Sequence, residues 1–173
     1  PDFLNVALTA WAGASDYFAQ NRPEFKENIL RYYEFIREND VTLTHTLVNL
    51  QRSRTLAAAD NLTDQVALTV IKETDAGIVV HGSRILATLG PISDEIAVYP
   101  TRSHLIGDDA WRQAFSFCIP CDTPGLKFLC RESFDMDRSH FDHPLGSRFE
   151  EMDAVVFFDN VFVPWQRVFL LGD

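Results

Sequence analysis

"VALTVIKETDAGIVVHGSRILATLG", Val66 to Gly90, is the stretch whose reading decides the fold. Two runs rich in Val, Ile and Thr meet at Asp75-Ala76-Gly77, a small polar set closed by glycine that suits a hairpin turn. The same texture continues in "EIAVYP" (95–100), "AFSFCIP" (114–120), "GLKFLC" (125–130) and "DAVVFFDNVFVPWQRVFLL" (153–171), punctuated by Pro, Gly and Asp. Five to seven short strands follow from this spacing, enough for a small antiparallel barrel or sandwich.

Upstream of Val66 the period changes. Leu4, Leu8, Trp11, Ser15 and Phe18 fall on one helical face, with Asp2 placed to cap it. Asn21 is then a candidate cap for a second helix with Pro23 in its first turn. Phe25, Ile29, Tyr32 or Tyr33, and Ile36 carry that helix to about Asn39. The fold class is therefore α+β, with N-terminal helices in residues 1–62 and a middle β-domain in 63–173. The switch falls between Asp60 and Gln65. There are no internal repeats and no low-complexity tracts.

With 173 residues, 46% of them apolar, the chain is about one domain long and has material for a sizeable core. Its 14 phenylalanines imply a dense core or an aromatic-lined pocket. The formal charge of −10 disfavours nucleic-acid binding, which needs a basic footprint. No apolar run approaches the roughly 20 residues of a membrane span, and the N-terminus lacks the pattern of a secretory signal. Three cysteines, an odd number, argue for a reducing compartment, with cytoplasm the default. The chain starts "PDFLNVALTAW" without Met and stops at "RVFLLGD" after an apolar stretch, so a piece of a longer protein is expected.

Cys118 and Cys121 in "CIPC", with Cys130, His140 and His143, nearly assemble a zinc ligand set. Phe115, Phe117 and Ile119 alternate around Cys118, however, and Cys130 ends the apolar run "LKFLC". Both placements describe strand ends, so structural buried thiols and no metal are expected. "HFDH" (140–143) reads as a solvated loop, or one that orders over a neighbouring subunit or ligand. No G-x-G-x-x-G follows a strand and there is no P-loop. A dinucleotide bound here needs a mode other than Rossmann glycines at a helix N-terminus.

"DVTLTHTLVNLQRSR" (40–54) places His45 just past the second helix, with Thr44, Thr46, Gln51, Arg52, Ser53 and Arg54 as close donors. A capped, solvated loop with a satisfied histidine is the plain reading. The functional one is a site: Arg forks suit phosphates and the electron-rich edge of a flavin ring, and an imidazole of near-neutral pKa suits a phenolic proton.

Four separated stretches, "NDVTLTHTLVNLQRSR", "GSRILATLGPISDEIAVYPT", "PCDTPGLKFLCRESFD" and "HPLGSRFEEMDAVVFFDNVFVPWQRVF", resemble the oxygenase components of the 4-hydroxyphenylacetate 3-monooxygenase family, and in that family's order. The resemblance covers essentially the whole chain. It implies an acyl-CoA-dehydrogenase-like fold, here the end of the N-terminal helical part plus the middle β-domain, with the family's C-terminal helical bundle absent from this chain. It also implies a two-component enzyme that ortho-hydroxylates a phenolic substrate with FADH2 and O2, a separate flavin reductase, and a homotetramer built as a dimer of dimers.

By motif position, His45 resembles the active-site histidine that meets both phenol and flavin. Thr46 and Leu47 continue its turn, Gln51, Arg52, Ser53 and Arg54 fall in the flavin-binding loop, and Thr88 matches a flavin-touching threonine. Pro100 and Thr101 fall at the contact to the substrate's acidic tail. Proline stands there where a serine–threonine pair is the family pattern, while Thr101 and Ser103 keep hydroxyls nearby. The phenol-holding arginine and tyrosine would precede Pro1, so the isolated chain is expected to be inactive. The rival readings are a 4-hydroxybutyryl-CoA dehydratase-like flavin and iron–sulfur enzyme of the same fold, and a non-catalytic β-domain that binds a partner.

Overall fold

The computed structural model describes residues 2–50, 66–100, 110–149 and 152–172. The expected switch between Asp60 and Gln65 lies outside them.

Helix α1 (Asp2–Gly13) and the short α2 (Ser15–Phe18) replace the single first helix expected, with the break at Ala14 (φ −108°, ψ 25°). Glycine at position 13 weakens the helix there, yet Leu8, Ser15 and Phe18 are all buried, so the predicted face survives the break. Helix α3 (Pro23–Glu38) buries Phe25, Ile29, Tyr32 and Ile36, which settles the Tyr32/Tyr33 alternative in favour of Tyr32. Its N-cap is Arg22, not Asn21. A residue before proline is pushed into the extended region, Arg22 sits there (φ −140°, ψ 131°), and that is the conformation an N-cap needs. Asn21 instead accepts a hydrogen bond from the Leu171 N–H at 3.1 Å. Asn28 donates to the carbonyls of Trp165 and Val168 at 2.8 and 2.9 Å, fixing α3 on the approach to the last strand.

The strands are β1 (Leu43–Thr46), β2 (Val48–Asn49), β3 (Thr69–Thr74), β4 (Gly77–Ile85), β5 (Glu95–Val98), β6 (Phe115–Pro120), β7 (Leu126–Cys130), β8 (Ala154–Pro164) and β9 (Val168–Leu171). One sheet has the order β1-β5-β6-β9; the other runs β2-β4-β8-β7, with β3 also on β4. The sheets face each other as an open sandwich and do not close into a barrel. The expected hairpin is present, with Thr74 paired to Gly77 around Asp75-Ala76. Gly82 sits at a bulge of β4 with φ +126°, where a Cβ would lie 2.4 Å from the Ala67 carbonyl oxygen.

Against the antiparallel expectation, β1 pairs with β5 in parallel. The cause is the route of the chain. β1 and β2 directly follow the helices and enter different sheets, so β1 meets β5 only after the excursion through β3 and β4. Strands β5 and β6 are buried on both faces, between the helices and the second sheet. Five phenylalanines (25, 115, 117, 158 and 169) are at most 1% exposed. Each such burial contributes about 1.5–3 kcal/mol. The Phe117 and Phe158 rings meet between the sheets at 6.2 Å.

Candidate functional site

Where a capped loop is the plain expectation after the helix, the chain forms strand β1, and this fixes its side chains in alternation. Thr44 and Thr46 are buried while His45 between them is half-buried. Thr44 Oγ1 donates to the Thr88 carbonyl at 2.6 Å, and Thr46 Oγ1 to the Ile85 carbonyl at 2.9 Å. The two threonines therefore stitch the edge of one sheet to the chain leaving β4 in the other.

His45 pairs with Ala97 across β1 and β5. Its ring lies 6.1 Å from that of Tyr99, which in turn meets Trp11 of α1 edge-on at 4.9 Å. Burial pushes the imidazole below its ordinary pKa, since a charged ring is disfavoured away from water. A neutral ring keeps one nitrogen able to accept a proton.

Thr88 stands beside this strand through the Thr44 bond, half-buried, and its hydroxyl donates to Asp153 Oδ1 at 2.6 Å. With its proton committed, that oxygen retains acceptor capacity for a ligand donor. Leu47 is 40% exposed beside His45. Pro100, half-buried, follows Tyr99, whose N–H donates to the Thr46 carbonyl at 3.1 Å. The structure thus brings His45, Thr46, Leu47 and Pro100 to the Thr46 end of the β1–β5 pair, with Thr88 bonded to Thr44 nearer the start of β1. Gln51, Arg52, Ser53, Arg54 and Thr101 lie outside the described residues.

Sequence reading missed three residues at this end. Arg84 is the bulkiest fully buried side chain among the described residues, at 0% exposure, with its guanidinium 5.5 Å from the Phe115 ring centre. Its Nη1 donates to the carbonyls of Leu47 at 3.0 Å and Tyr99 at 3.4 Å, but Nε and Nη2 have no partner. The hydroxyl of Tyr99 and Oδ1 of Asn49 are also buried without a partner. The available signal was an arginine inside the apolar strand run "IVVHGSRIL".

A family model described as "4-hydroxyphenylacetate 3-hydroxylase N terminal" matches residues 1–170. The chain belongs to this family. It is 49% identical over 175 residues to the 4-hydroxyphenylacetate 3-monooxygenase oxygenase component of Geobacillus sp. (strain PA-9), covering 100% of this chain and 35% of the relative. The chain therefore spans about a third of the length of the relatives it matches. A crystal structure of an oxygenase component complexed with FAD and 4-hydroxyphenylacetate superposes with a TM-score of 0.83 at 43% identity, over 100% of this chain and 35% of that one. An archaeal 4-hydroxybutyryl-CoA dehydratase from N. maritimus gives a TM-score of 0.80 at 16% identity, over 96% of this chain and 34% of that one, a likeness of fold alone.

The cysteines and loop histidines also find their positions. Cys118 is buried in β6 opposite Ala97, and burial pushes its thiol pKa up. Cys121 is half-buried just past β6, its pKa raised by burial to about 12. Cys130 departs from the buried-thiol expectation: it ends β7, an edge strand, and is exposed. Among the described residues no group of His, Cys, Asp or Glu is placed to hold a metal ion. In the loop after β7, His143 stacks on Phe134 at 4.3 Å and His140 Nδ1 meets Ser147 Oγ at 2.7 Å. No helix among the described residues is long and apolar enough to cross a membrane.

Proposed function

We propose that the protein to which this chain contributes is the oxygenase component of a two-component monooxygenase that hydroxylates a phenol ortho to its hydroxyl. It uses FAD delivered reduced by a separate reductase, and O2. The observation that carries the reading is the placement of a half-buried, neutral His45 on a strand pinned by Thr44 and Thr46, in a chain similar along its whole length to such oxygenases. The residues present fit a flavin: Thr88 offers an acceptor next to β1, and the end of the strand pair where His45 stands holds buried polar atoms without partners.

Bound reduced flavin supplies the activated oxygen. The chain does the rest. His45 accepts the phenolic proton at its free-base nitrogen, which raises electron density in the ring and favours attack on oxygen. Thr46, Leu47 and Thr88 line the flavin, and Gln51, Arg52, Ser53 and Arg54 hold it through charge-assisted bonds. Pro100 and Thr101 receive the far end of the substrate. The apolar surroundings, Leu47 included, keep water from the reacting atoms. A homotetramer, a cytoplasmic location and a division into residues 1–62 and 63–173 complete the proposal. The 49% identity to an oxygenase favours this reading over the dehydratase, which shares only the fold.

The test is the full-length protein with chemically reduced FAD, O2 and a panel of phenols that includes 4-hydroxyphenylacetate. A catechol product is expected from at least one. Hydrogen peroxide without catechol from every phenol refutes the assignment.

A further inference from the structure

We infer that Arg84 is a positioning residue that sets the spacing between His45 and Pro100, an inference that rests on the hydroxylase reading and deepens it. Leu47 comes two residues after His45, and Tyr99 comes one before Pro100. A single guanidinium nitrogen donates to both their carbonyls, at 3.0 and 3.4 Å. Asn49, further along the stretch that carries Leu47, stands opposite Arg84 in the β2–β4 register. The guanidinium is planar and rigid, and it is held over the Phe115 ring between the sheets. It therefore acts as a spacer of fixed width between the chain that carries the proton acceptor and the chain that receives the substrate's far end.

A purely structural role fits the arginine poorly. A buried guanidinium that only stabilised the fold would be expected to use its remaining donors, because unpaired buried charge is costly. Arg84 leaves Nε and Nη2 unused, and Asn49 Oδ1, on the residue opposite it, is unused as well. What the residue does complete is the link between Leu47 and Tyr99. A misplacement of about 1 Å at a reacting pair costs on the order of 10²-fold, so a modest change in this spacing reaches the chemistry without unfolding the protein.

The experiment uses the full-length enzyme with Arg84→Lys and Arg84→Met, the first keeping the charge and the second keeping only apolar bulk. Product formed per reduced FAD consumed is read beside amide hydrogen exchange of the peptides spanning residues 44–49 and 97–100. Both variants are expected to lose about tenfold or more in product yield, with faster exchange in those two peptides and unchanged exchange in β7 and β8. Arg84→Lys with wild-type yield and wild-type exchange overturns the inference. Exchange that accelerates through both sheets also overturns it, because the role is then support of the whole fold. If the wild-type enzyme yields no hydroxylated phenol, the hydroxylase reading fails. The exchange comparison still decides whether Arg84 holds the two stretches together.

Discussion

Strand β5 is finished differently at its two ends. At Glu95 the polar groups saturate one another: Arg167 Nη1 reaches both carboxylate oxygens at 2.9 and 2.8 Å, and the Tyr32 hydroxyl donates to the second at 2.8 Å. Just past the other end, Tyr99 and Arg84 leave a hydroxyl and two guanidinium nitrogens with no partner. Both ends set an arginine against aromatic rings, the partly exposed Arg167 over Tyr32 and Phe35 and the buried Arg84 over Phe115. Arg167 meets a carboxylate, whereas the hydrogen bonds of Arg84 among the described residues go to carbonyls alone. A buried pair with its partners in place ties helix to sheet, whereas unmatched donors and acceptors mark the end where His45 stands.

The contrast is broken most forcefully at the saturated end. Glu95→Ala leaves Arg167 and Tyr32 without their acceptor, and the loss of one partner of a buried pair costs about 3–5 kcal/mol. Denaturant unfolding of the full-length protein is expected to show a loss of that order. Unchanged stability there would erase the distinction between the ends.

At the open end the damage falls on chemistry. His45→Ala in the full-length enzyme is expected to lower hydroxylation by about 10²–10⁴-fold, the usual worth of a positioned acid–base group. Flavin affinity should stay close to wild type and hydrogen peroxide should accumulate instead. Wild-type product yield per reduced FAD would remove His45 from the mechanism. Its pH dependence has a definite sign. Burial lowers the folded-state pKa, so the ring is neutral and competent above the ordinary histidine value, and activity falls only as pH drops below about 6.5 toward the lowered value. The same shift removes stability as pH falls through that window. A pH–rate profile whose acid limb lies above the ordinary value contradicts this.

Smaller changes sharpen the comparison. Thr44→Val deletes the bond to the Thr88 carbonyl, leaves that acceptor unpaired, and is expected to cost about 1–3 kcal/mol. Thermal unfolding measures the loss, and a comparable drop in flavin affinity would tie Thr88 to the cofactor. The mildest probe is thiol labelling of the native protein. Cys130, exposed, should react first, Cys121 later, and Cys118 only on unfolding. Early reaction of Cys118 would mean that the saturated end of the core opens readily.

Much of this was legible because it depends on local spacing. Period along α3 named its buried face, and Asp75-Ala76-Gly77 named the hairpin. What escaped depends on partners far along the chain. Asn21 is a good cap by type, but Arg22 takes the position because proline follows it. Nothing near Leu43 announces that its partner is Glu95 or that the pairing is parallel. Cys130 reads like Cys118 until the sheet order shows that β7 is an edge. Of the candidate site, His45 and Thr46 were singled out by residue type, and Leu47, Thr88 and Pro100 were named through family resemblance. Arg84 was not, because a lone arginine in an apolar strand shows no partner in sequence.

The parallel pairing of β1 with β5 also orders events in time. Helix α3 and the β3–β4 hairpin close over short loops, and hairpins form in roughly 1–10 μs. His45 gains Ala97 and Tyr99 as neighbours only after the chain has passed through β2, β3 and β4, so its contacts carry the entropic cost of a long loop. On the ribosome, where N-terminal segments emerge first, the histidine leaves the exit tunnel well before the strand that orients it. The histidine is thus made early and put in place late, once the scaffold around it already stands.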